Sequence, residues 1–131
     1  MNNYFENPLY RKAFFEDADR IMAGFRKDFM LLQSGANKQA ALKNIHRYAH
    51  SLKGLSAMME FKESEQIAAN LESAAGQVLK EGLVGLDENM LIEIKNGFDK
   101  IEKLLKRIRI APGAGHNGDS AEKPSPKNGM P

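Results

Sequence analysis

The chain has 131 residues, enough for one domain of common size with a real core but too few for two. Its 42% hydrophobic and 27% charged residues match a soluble globular protein, and a net charge of +2, spread along the chain, gives no argument for nucleic-acid binding. The lack of cysteine excludes disulfides, thiolate metal ligands and cysteine nucleophiles.

The opening stretch, MNNYFENPLYRKAFFEDADR, has no apolar secretory core. No window approaches the roughly 20 apolar residues that a membrane span needs. The expectation is a cytoplasmic protein without membrane contact.

Taken in chain order, the signals are helical. Asn7-Pro8 reads as an N-cap followed by proline at the first helical position. Phe14, Ala18, Ile21, Phe25, Phe29 and Leu32 then recur at helical spacing. Gly35 ends this first helix and Asn37 caps the second, expected over about Lys38 to Met59. A bend near Glu60-Phe61 leads to a third helix from about Glu63 to Lys80, with an apolar line of Ile67, Leu71, Ala74 and Val78. Asp87 caps a fourth, where Leu86 and Leu91 are placed for a hydrophobic staple. Leu91, Ile94, Phe98, Ile101, Leu105 and Ile108 alternate steps of three and four along it, and its end is basic. Met22, Met30 and Met59 fall on core stripes. Strand signals are nearly absent, with two valines and no threonine in the chain.

Residues 111–131 hold four glycines and four prolines and read as a flexible linker or tail. The expected organisation is therefore an all-α, antiparallel up-down-up-down four-helix bundle over residues 1–110, followed by that linker.

The second helix contains HRYAHSLKGLSAMMEF, with a glycine in mid-helix. Such a glycine costs about 1 kcal/mol relative to alanine. At about 100° per residue, Ala41, Ile45, Ala49, Leu52, Ser56 and Met59 share one line, flanked by Leu42, Tyr48 and Leu55. His50 points about 140° away from that line, among Lys43, His46, Lys53, Gly54 and Ala57. Gly54 thus clears space beside an outward imidazole, and Ala57 continues the cleared strip. A neutral imidazole nitrogen is a good nucleophile near neutral pH, and its phosphoramidate can pass the group on. The Lys53 ammonium, one turn along, suits an arriving phosphoryl group. Glu72, at the edge of the third helix, could reach the ring's other nitrogen if the two helices pack antiparallel. Met58 lies near the same face as a candidate partner contact.

The string AHSLKGLSAMMEF resembles the phosphorylation motif of histidine phosphotransfer (Hpt) domains, His-x-x-Lys-Gly followed by small residues and a Phe. More narrowly it resembles the N-terminal domain of CheA-type chemotaxis kinases, whose first helix FFEDADRIMAGFRKDFMLL is also similar to. The likeness covers about residues 12 to 109. It implies His50 as phosphoacceptor, Lys53 as the cation on the phosphate side, Gly54 as clearance and Glu72 as the carboxylate that orients the ring. Ala69 stands where some CheA members carry a second histidine, and no counterpart of their fifth helix follows Ile110. Implied partners are a response-regulator receiver domain and the ATP-binding domain of a histidine kinase, in cis or in trans, with His46, Ala57 and Met58 as docking residues.

The chain carries no Gly-rich nucleotide loop, P-loop lysine-serine pair or ATP-binding segment. It reads as a phosphocarrier in a two-component phosphorelay rather than an enzyme, with no cofactor and no metal. A helical interaction module without phosphate chemistry is the alternative. His46 and His50 have the i, i+4 spacing of a metal pair, but a cation such as Lys53 beside a metal would be unfavourable.

Overall fold

The computed structural model describes residues 6–110. It contains α1 (Pro8–Ser34), α2 (Lys38–Met59), α3 (Lys62–Lys80) and α4 (Glu88–Ile110). The expected linker over 111–131 lies outside the described residues.

Local signals set the helix ends. The Asn7 side chain accepts from the Leu9 amide at 2.9 Å, with Pro8 in the first turn. Gly35 closes α1 in the left-handed region at φ 83°. Asn37 enters α2 from that same region, at φ 51°, which asparagine tolerates well. The bend between α2 and α3 is a left-handed Glu60, after which the Phe61 amide donates to the Ser56 carbonyl at 2.9 Å. Asp87 accepts from the Met90 amide at 2.9 Å to start α4. Leu86 and Leu91 are both half-buried against the core.

Successive helices pack against one another and α4 returns to α1, the thinnest of the four seams. The pairing is antiparallel throughout. Asp28 meets Asn44 and Tyr48 across α1 and α2, Ser56 meets Ser64 across α2 and α3, and Arg26 meets Glu102 across α1 and α4. Phe14, Phe98, Leu42, Ile45, Leu52, Ile94 and Ile101 are almost wholly buried. Phe25 of α1 stacks on Phe98 of α4 with centroids 3.8 Å apart. Burial of side chains of this size is the main force holding such a bundle together.

Two expectations about stripes need correction. The buried line of α3 is Ser64, Ala68, Leu71, Ala75 and Val78, rather than one through Ile67 and Ala74. Small residues turn toward α2, where the helices approach closely, and the larger Ile67 lies in the groove between α3 and α4. Met30 is 69% exposed rather than in the core. Its neighbour Phe29 takes the buried position, and one residue further is about 100° round the helix.

One buried polar cluster braces α2 from behind. Asp28 is 6% exposed on α1. It accepts from the Tyr48 hydroxyl at 3.0 Å and from the Asn44 amide at 3.2 Å. Burial first, and then the Asp28 hydrogen bond, push the Tyr48 phenol above its ordinary pKa. A Cβ on Gly24 would stand 2.6 Å from the Tyr48 hydroxyl, so the tyrosine fits only because α1 has glycine there. This cluster, together with the apolar face of α2, fixes which side of α2 is left to solvent.

Candidate functional site

The residues left on that side are those the wheel places there. His50 is exposed, with 65% of its side-chain surface accessible. Lys53 is half-buried, and Gly54 and Ala57 are exposed one and two turns further along. Met58 is 44% exposed beside them. A Cβ added to Gly54 would meet nothing within 4 Å, so no packing inside the chain requires glycine at this point.

Glu72 reaches the same face from α3. Its Oε2 lies 2.7 Å from His50 Nδ1 and its Oε1 lies 2.7 Å from Lys53 Nζ. The hydrogen bond from Lys53 holds the Glu72 carboxyl below its ordinary pKa of 4.5. The bond from His50 adds to this, and partial burial works against it. Glu72 is therefore ionised near neutral pH, and a carboxylate only accepts hydrogen bonds. In the neutral imidazole the Nδ1 proton is then the one donated to Glu72, and the lone pair sits on Nε2 at the other edge of the ring.

Residues 10–109 match the family described as Hpt domain. The chain belongs to that family. Hpt domains are histidine phosphotransfer modules of two-component signalling, phosphocarriers rather than enzymes. This Hpt domain is similar to the chemotaxis protein CheA of Borreliella burgdorferi, at 25% identity over 100 residues. It is also similar to the chemotaxis protein CheA of Halobacterium salinarum, again at 25% over 100 residues. Both alignments cover 76% of this chain but only 12% and 15% of those proteins' length. No solved structure gives a significant match.

Within the Hpt domain, the fold brings together three of the side chains singled out in the sequence, His50, Lys53 and Glu72. Lys53 is paired with Glu72 rather than standing apart beside Nε2, although an ammonium has three N–H donors and this bond uses one. Ala57 and Met58 continue the exposed strip. His46 differs from them: it is half-buried, with its ring against Gly76 of α3. Sequence reasoning passed over Gly76. The available signal was a mid-helix glycine four residues after Glu72. Among the described residues no three His, Asp or Glu side chains group as they would around a metal ion. Likewise, no helix there is long and apolar enough to cross a membrane.

Proposed function

We propose that His50 is the phosphoacceptor of this Hpt domain and that Nε2 is the atom that reacts. The observation that carries the reading is the 2.7 Å contact from exposed His50 to the ionised Glu72. It orients the ring and directs the Nε2 lone pair outward. In the loading step Nε2 attacks the phosphorus of a phosphoryl donor. The N–P bond forms as the bond from phosphorus to the leaving oxygen breaks, and the leaving group departs with that electron pair. Attack places positive charge on a ring that still holds its Nδ1 proton, and the Glu72 carboxylate offsets that charge. In unloading, a carboxylate oxygen of an acceptor aspartate attacks the phosphorus, the N–P bond breaks and the neutral imidazole is restored. Lys53 supplies positive charge beside the phosphoryl oxygens, and Gly54 and Ala57 leave room for the partner's backbone.

On this reading the acceptor is a response-regulator receiver domain. The donor is a kinase ATP-binding domain, in cis or in trans, or a phosphorylated receiver. The 111–131 segment would tether the bundle to a neighbouring domain, and a cytoplasmic setting fits such partners. The test is incubation with a cognate kinase and γ-labelled ATP, comparing wild type with His50→Gln. Acid-labile, base-stable label on the wild type alone is expected. Label retained by the variant would move the acceptor elsewhere.

A further inference from the structure

Along the seam between α2 and α3, His50 faces Glu72, and four residues earlier on α2 His46 faces a position four residues later on α3, Gly76. The two pairs are adjacent rungs of one antiparallel register. A Cβ built on Gly76 would lie 3.3 Å from His46 Nε2, tighter than most Cβ contacts, and 3.4 Å from His46 Cδ2, at the near edge of ordinary van der Waals contact. A side chain at Gly76 would therefore press on the ring, and the seam would have to give by a few tenths of an ångström. Gly76 is not a helix terminator, since α3 continues to Lys80, and glycine within a helix lowers its stability. Gly54, the comparable glycine on α2, has open space around it. Of these two glycines, only Gly76 has a neighbour inside the chain at the place of a Cβ. Nearby seam residues Ala49, Ala68 and Ala75 are fully buried and small, as a close helix pair requires.

We infer that Gly76 is a positioning residue of the phosphotransfer site: it is a notch that admits the His46 ring, so that α2 and α3 come close enough for Glu72 to engage His50. The inference rests on the reading of His50 as phosphoacceptor, and it assigns His46 to the seam rather than to a partner surface. A side chain at Gly76 acts as a wedge against the His46 ring, pushing α3 outward one turn from Glu72. The Oε2 to Nδ1 contact then lengthens and the Nε2 lone pair is less firmly oriented. Removing the ring relieves the wedge.

The experiment compares wild type, Gly76→Ala, Gly76→Val, His46→Ala and the double variant Gly76→Ala with His46→Ala. Long-range proton–nitrogen NMR of the His50 ring reads the tautomer without any phosphorylation, thermal melts report folding, and kinase-driven labelling reports rate. Gly76→Ala should stay folded, because alanine favours helix. It should lose part of the Nδ1–H tautomer and phosphorylate about tenfold more slowly, the scale expected when a reacting group is slightly misplaced. Gly76→Val should do more, His46→Ala alone should change little, and the double variant should return toward wild type. A Gly76→Ala protein with unchanged His50 tautomer, or a defect that His46→Ala fails to relieve, would overturn the inference. The NMR arm separates the two readings: an unlabelled wild type with the expected tautomer shifts would reject His50 as acceptor and keep the notch.

Discussion

His50 and Glu72 lie 22 positions apart in the chain and meet at 2.7 Å between Nδ1 and Oε2. The same carboxylate takes a second hydrogen bond from Lys53 at 2.7 Å. One α3 side chain thus ties together two α2 residues that stand on adjacent turns.

Replacing Glu72 should affect reactivity far more than folding, because its side chain lies at the edge of the seam and outside the core. Glu72→Ala is expected to slow phosphorylation of His50 by about tenfold to a hundredfold. Its melting temperature should remain close to that of wild type. Rapid-quench labelling alongside circular dichroism checks both. An unchanged rate would remove the ring-orienting role.

The acidity of Glu72 gives a pH prediction with a definite sign. Its folded pKa is depressed below 4.5, so what its ionised form contributes is present above that value. The contribution is lost as pH falls below 4.5 through the folded pKa. A carbon-13 NMR titration of the Glu72 carboxyl should show a midpoint below 4.5 in the wild type. Lys53→Met removes the largest cause of the shift and should move that midpoint upward. A Lys53→Met midpoint equal to the wild-type one would mean that the ammonium does not hold the carboxylate.

Gly54 should separate stability from transfer. Its added Cβ meets nothing, so Gly54→Ala is expected to stabilise the isolated bundle by about 0.5–1 kcal/mol through helix propensity. If a receiver domain approaches across this strip, the same change should slow transfer to it. Urea melts and stopped transfer assays give the two numbers. Faster or equal transfer would show that the strip is not where the partner comes close.

Gly24 should behave in the opposite way. A Cβ there would stand 2.6 Å from the Tyr48 hydroxyl and 2.7 Å from its Cζ. Gly24→Ala must displace the ring and disturb its bond to Asp28, costing about 1–3 kcal/mol as overpacking does. Chemical denaturation reads this directly. A variant as stable as wild type would mean that the α1–α2 seam yields without cost.

Much of the bundle was legible because caps and apolar periodicity are local. Asn7-Pro8, Gly35, Asn37 and Asp87 mark helix ends within a few residues of chain, and the stripe of α2 from Ala41 to Met59 needs only the geometry of a helix. The outward direction of His50 followed from that stripe. Legibility failed where a helix has two neighbours and must divide its faces between them. For α3 the choice between Ile67 with Ala74 and Ala68 with Ala75 depends on how closely α2 approaches, and a wheel does not contain that distance. Buried Asp28 was hidden for a related reason, since its partners Asn44 and Tyr48 belong to another helix.

The sequence by itself determined the four helices, their order and the face of α2 that carries His50, Lys53 and Gly54, because these depend on interactions spanning at most two helical turns. Only the tertiary structure decided that Glu72 grips both His50 and Lys53, that the His46 ring lies in the notch at Gly76, and that Tyr48 bonds Asp28. Each of these contacts joins different helices, and its existence depends on the separation and register of packed helices, which the whole core sets together.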